Sequence, residues 1–165
     1  MENQELRFDN LRQVLKDYGE ALVEAYKNNL TNYDHNASRD LYNSVRYIAS
    51  FGANKYEISL NLAEYWKYLE YDTRPHFPPV DAILEWIRIK PVLPHPDDNG
   101  NLPTEKQLAF LIGRKISEEG TKGKNMLQKS VADVNTEYFE KIYDAIDKDI
   151  DTYSIVMLNN FTRSW

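Results

Sequence analysis

The sequence predicts an α+β fold in which a small antiparallel sheet packs against long helices, and three stretches carry that prediction. Over 5–30, Leu11, Leu15, Tyr18, Leu22 and Ala25 recur at steps of four and three, one stripe of a long helix. Over 44–62 the period drops to two. Tyr56, Ile58, Leu60 and Leu62 alternate with Glu57, Ser59 and Asn61, and Val45, Tyr47 and Ala49 do so more weakly. With Phe51-Gly52-Ala53-Asn54 as the turn between them, these runs read as a hairpin. From Val131 onward Tyr138, Phe139, Ile142, Ala145, Ile146, Ile150, Tyr153 and Met157 project onto one half of a helix. Asp133, Glu137, Glu140, Asp144, Asp147 and Asp151 occupy the opposite side as an acidic ridge, while Asp149 falls on the apolar half and needs a partner if buried.

The remaining elements follow in order. Residues 31–39, with Asn-Tyr-Asp-His-Asn, read as a polar linker. Trp-Lys-Tyr-Leu-Glu-Tyr at 66–71 alternates again and predicts a third strand over about 65–71, with a short helix over 63–68 as the alternative. Arg74-Pro75-His76-Phe77-Pro78-Pro79 predicts a rigid extended connector, because each proline restricts itself and the residue before it. Pro79 suits the first turn of a helix striped by Val80, Ile83, Leu84 and Ile87, which ends before Pro91. Residues 91–103 hold four prolines and Asp97-Asp98-Asn99-Gly100, a surface loop. Thr104 and Gln107 have capping-box spacing, ahead of a helix carrying Leu108, Leu111, Ile112 and Ile116 that stops at Gly120. Thr121 to Lys124 is a short basic loop. No repeat occurs at periods of twenty to fifty residues, so residues 1–150 read as one domain, with 151–165 a helical extension and contact tail.

Composition narrows the function classes. A chain of 165 residues with 42% hydrophobic and 28% charged residues has enough apolar material for a single core. Twenty basic against twenty-six acidic residues give a net charge of -6, the wrong sign for wrapping nucleic acid. The absence of cysteine excludes disulfides, thiolate nucleophiles and cysteine-based metal sites. No apolar run approaches the roughly 18 residues of a membrane span, and the polar start Met1-Glu2-Asn3-Gln4-Glu5 does not read as a secretion signal.

No catalytic constellation emerges. His35, His76 and His95 lie too far apart for helical metal-ligand spacing, leaving His95 near Asp97 and Asp98 as the best cation candidate, more simply read as a solvated turn. The chain has no Gly-x-Ser-x-Gly elbow and no phosphate-binding glycine loop. The ridge carboxylates share one face at even spacing, whereas catalytic carboxylates need unequal environments, so the ridge reads as a solvated or docking surface. Charge is instead segregated along the chain. Arg114, Lys115, Lys122, Lys124 and Lys129 outnumber Glu118 and Glu119, whereas 133–151 carries seven acids and two bases. Such asymmetry suits copies meeting basic edge to acidic edge, head to tail, and equally suits two ordinary solvated surfaces.

The run Tyr65 to Lys90, containing Asp72-Thr-Arg-Pro-His-Phe-Pro-Pro79, followed by Leu108-Ala-Phe-Leu-Ile-Gly-Arg-Lys-Ile116 and Gly120-Thr-Lys-Gly123, resembles the tail completion and head-to-tail joining proteins of tailed bacteriophages. The likeness covers roughly residues 10 to 150. Asp72 stands where that family has glycine, which a left-handed backbone there would accommodate, since aspartate can adopt one. The resemblance implies a non-enzymatic virion protein without cofactors, assembled in the host cytoplasm and forming a ring of six or twelve copies in the phage neck. Its implied partners are portal, neck and tail proteins and passing double-stranded DNA without sequence-specific binding, with no membrane. The alternative is a phage regulatory or host-interaction protein acting by protein–protein binding. The assembly-interface candidates are Arg74, His76 and Phe77 in the connector and Lys122 and Lys124 in the basic loop. Asp133, Glu137, Glu140 and Asp144 on the ridge and the aromatic Trp165 complete the set.

Overall fold

The computed structural model describes residues 8–32, 39–53, 55–90, 92–96 and 98–162, and within them the chain is α+β as the periodicities predict. In chain order the elements are α1 (Asp9–Asn32), α2 (Asp40–Ser44), β1 (Arg46–Phe51) and β2 (Tyr56–Asn61). They continue with α3 (Trp66–Glu70), α4 (Val80–Ile89), α5 (Glu105–Glu119) and α6 (Met126–Thr162). The chain divides into two compact units, one built from 1–29, 45–62 and 127–165, the other from 30–44 and 63–126.

The first unit is a pair of long helices with a hairpin. α1 and α6 run antiparallel, because Asn10 meets Asp149 at one end of the pair and the Asn29 side chain meets Ser130 at the other. Between them Tyr18 donates to Asn135 at 2.7 Å and sets its ring edge-on to Tyr138. Asp149 is only 3% exposed and has the partners that burial demands. Its carboxylate accepts the Asn10 N–H at 3.0 Å, the Leu11 N–H at 2.9 Å and the Asn10 side-chain amide at 2.7 Å. Those two backbone donors lie in the first turn of α1, where no intrahelical acceptor exists, so a side chain from another helix caps it. Leu22, Tyr26 and Leu30 are fully buried on α1, while the predicted stripe residues Leu11, Leu15, Tyr18 and Ala25 flank them half-buried.

β1 and β2 pair antiparallel in the register Tyr47 to Leu60, Ala49 to Ile58 and Phe51 to Tyr56, so one face collects these six half-buried residues. That face lies on α1. The ring of Tyr47 sits over Gly19, where an added Cβ would come within 2.5 Å of it. Phe8 meets Tyr56 edge-on, and the Arg12 guanidinium stands 5.8 and 5.6 Å from the Phe51 and Tyr56 ring centres.

The second unit centres on α4 against α5, with Ile83, Leu84, Ile87 and Ala109 at the core and Val80, Val92, Leu108 and Ile112 around them. Ala109 and Gly113, one turn apart, let the helices approach closely. A Cβ on Gly113 would stand 3.1 Å from Phe77 and 3.3 Å from Ile83. The capping box forms, Thr104 Oγ1 accepting the Gln107 N–H while Gln107 accepts the Thr104 N–H.

Four expectations are corrected. Residues 66–70 form α3 and add no third strand: Trp66, Leu69 and Glu70 turn inward at helical spacing, and Tyr71 N–H bonds to the Lys67 carbonyl four residues back. Leu111 is about half exposed, because α5 presents its small residues to α4 and rotates Leu111 outward. Phe139, Ile150 and Met157 are also exposed, because only the Val134, Ala145 and Asp149 side of the apolar half of α6 is covered. The linker starts later than expected, since α1 continues to Asn32; residues 33–38, His35 among them, lie outside the described residues.

Replacing Asp149 by alanine removes three hydrogen bonds to a charged acceptor and strands two part-buried helix-end donors. Urea denaturation of Asp149→Ala should show a loss of about 3 kcal/mol. A change below about 1 kcal/mol would mean that water replaces the cap.

Candidate functional site

The two segments singled out by sequence, the connector after Tyr71 and the loop after Gly120, come together as one clasp. Thr73 donates its N–H to the Thr121 carbonyl at 2.9 Å, Thr121 donates its N–H to Thr73 Oγ1 at 3.0 Å, and the two hydroxyls are 2.7 Å apart. Lys124 N–H bonds to the Leu69 carbonyl at 2.7 Å, tying the loop to α3 as well. Glycine is required at both turns of the loop. Gly120 has φ 71° and ψ -163°, a backbone region essentially closed to other residues, and a Cβ there would meet the Thr73 carbonyl at 2.2 Å. A Cβ on Gly123 would meet the Glu70 carbonyl at 2.3 Å. The loop is therefore locked.

Asp72 closes the clasp from outside. Its Oδ2 pairs with Lys122 Nζ at 2.8 Å and its Oδ1 accepts the Gly123 N–H at 2.9 Å. The left-handed backbone expected at Asp72 does not occur, since Arg39 and Asn125 are the positive-φ non-glycine residues among those described. The aspartate earns its place through its side chain. The Lys122 ammonium first, and the Gly123 amide second, hold its carboxyl below the usual 3.8, and Asp72 in turn raises Lys122 above 10.5. Both groups are exposed, so salt screens the pair.

The other candidates are surface residues. Arg74 and His76 are exposed, and His76 Nδ1 lies 2.9 Å from the Arg74 carbonyl. Phe77 is half exposed, its ring tilted against Phe110 at 5.8 Å between centroids. The side chains of Lys122 and Lys124 point to solvent. Asp133, Glu137, Glu140 and Asp144 are exposed along α6 with Asp147 and Asp151, and of the ridge only Glu137 pairs, with Lys141 at 2.6 Å, among the described residues. Trp165 and Asp97 lie outside the described residues.

Sequence reasoning missed a groove against α5. It has a volume of about 840 Å³ and is lined by Leu102, Pro103, Phe110 and Leu111 with His95 and Lys106. The outward pairing of Phe110 and Leu111 beside the proline-rich loop was its available signal. Among the described residues no three His, Asp or Glu side chains are placed to share a metal ion, and no helix is long and apolar enough to cross a membrane. What the arrangement offers is docking chemistry: an aromatic surface of mixed charge on one unit, an acidic helix on the other.

The chain matches no family model, no curated protein and no solved structure. Its surfaces are therefore the ground on which a function is argued.

Two outcomes test the clasp. Gly120→Ala should lower stability by about 2 kcal/mol or more in urea denaturation, because both backbone and space exclude a Cβ. Because the folded Asp72 carboxyl lies below its unfolded value, the stabilisation it brings is complete above about pH 5 and is lost as pH falls through the depressed folded value. The Gly123 amide resonance should hold steady from pH 7 to about 5 and titrate at lower pH with a midpoint below 3.8. For Lys122, raised in the fold, the corresponding loss comes only above pH 10.5.

Proposed function

We propose that this chain is a non-enzymatic structural subunit of a tailed-phage virion, forming a ring in the neck that joins portal and head to the tail around the DNA channel. One observation supports it most. The chain carries two exposed surfaces of unlike chemistry, the acidic ridge of α6 and the aromatic, charge-mixed surface of α4, α5 and the connector, where Phe77, Trp86, Phe110 and Leu111 are exposed. A ring closes through heterologous contacts, which require two different complementary patches on every copy. Repulsion between two acidic ridges disfavours pairing of like patches.

The resemblance of 65–90 and 108–123 supplies the biological setting of this reading. An acidic subunit also suits a channel that DNA must traverse, since a negative wall does not retain the phosphate backbone that a basic wall would hold. The locked clasp supports a contact role for Arg74, because it presents the connector from a fixed base.

Electron microscopy of the purified chain with its portal should show rings of six or twelve copies. A chain that stays monomeric with portal and neighbouring neck proteins present would reject the reading, and capture of a host protein instead would favour the regulatory alternative. Arg74→Ala should leave the circular dichroism spectrum and unfolding midpoint unchanged while weakening assembly by roughly tenfold. Loss of the fold would make Arg74 structural.

A further inference from the structure

The ridge of α6 has a continuation that changes chemistry. Asp133, Glu137, Glu140, Asp144, Asp147 and Asp151 follow steps of four and three, and four and seven residues beyond Asp151 the same face carries Ile155 and Leu158. One helical face is thus acidic for five turns and apolar at its end. No charged residue occurs in 152–162, yet Ile155 is 58% and Leu158 66% exposed. A helix segment that carries Ile155, Val156, Met157 and Leu158 around its circumference without charge belongs in contact with another surface.

The α5 groove has the complementary order. Phe110, Leu111 and Leu102 make it apolar, Lys106 stands at its edge, and none of its described lining residues is acidic. Lys115 follows along α5, beside Arg114, which pairs with Glu118 at 2.9 Å. Its 840 Å³ lies within the roughly 300–1,000 Å³ of cavities that take large apolar groups. Laid antiparallel on α5, the α6 face would set Ile155 and Leu158 in the groove and its nearest aspartates toward Lys115.

We propose that the uncharged end of α6 from one copy docks in the α5 groove of a second copy, helix in groove. Pairing α6 with α6 would instead set acid against acid. That the partner is a second copy rests on the ring reading above. The contact is heterologous, so each copy offers one helix end and one groove.

The test uses full-length chains carrying Phe110→Glu or Leu158→Glu, both at exposed positions. Each variant should keep the wild-type circular dichroism spectrum. In sedimentation velocity the wild-type chain should associate, and each variant alone should associate at least about thirtyfold more weakly. An equimolar mixture should give a 1:1 dimer and nothing larger, because only the intact end of the Phe110→Glu chain and the intact groove of the Leu158→Glu chain can meet. Variants that assemble like wild type, a mixture that stays monomeric, or a monomeric wild type would each overturn the docking. Imaging with the portal separates the two readings. Rings formed equally well by both variants reject the docking and leave the ring standing, whereas a 1:1 dimer without wild-type rings keeps the docking and rejects the ring.

Discussion

The first unit depends on a carboxylate placed where α1 begins. Asp149, on α6, accepts the first-turn amides of Asn10 and Leu11, and no acceptor within α1 can do so. Its charge also faces the positive end of the α1 dipole. The same bonds set the register of the two helices, so Tyr18 meets Asn135 and Asn29 meets Ser130 farther along. With α1 and α6 fixed, α1 can present Gly19 and Arg12 to the hairpin. Removing one buried charge therefore unsettles an element more than a hundred residues away in sequence.

Much of this was legible in the residues. Elements whose pattern is local came through: the stripe of α1, the alternation of β1 and β2, the capping box at Thr104 and the place of Asp149 on the apolar half of α6, with the need for a partner that follows if it is buried. Failures came where a local pattern fits two structures. Trp66 to Tyr71 alternates well enough for a strand, and only the inward turn of Trp66, Leu69 and Glu70 distinguishes the helix. Leu111 shares the apolar set of Leu108, Ile112 and Ile116, but Ala109 and Gly113 make the closer contact and leave it outward. The clasp was half visible. Its two segments were named separately, yet nothing local says that Thr73 will find Thr121, forty-eight residues on.

The same limit explains the docking surfaces. The acidic ridge was readable because a helix repeats its face, while the α5 groove needs the loop before Thr104 to come back over Phe110 and Leu111. Rigid turns and unpaired surface charge then have a common sense. The clasp immobilises the backbone of the connector and loop, leaving Arg74 and Lys124 pointing outward at little further cost in ordering.

Gly19 gives the hairpin a gauge. The notch it leaves in α1 accepts the flat ring of Tyr47, and a slip of one residue would bring Arg46 or Ile48 to that place. Neither offers the planar shape the notch fits, so a misaligned hairpin cannot seat on the helix. The notch thus sets where β1 rests on α1, and the pairing of β1 with β2 passes that placement on to the rest of the hairpin.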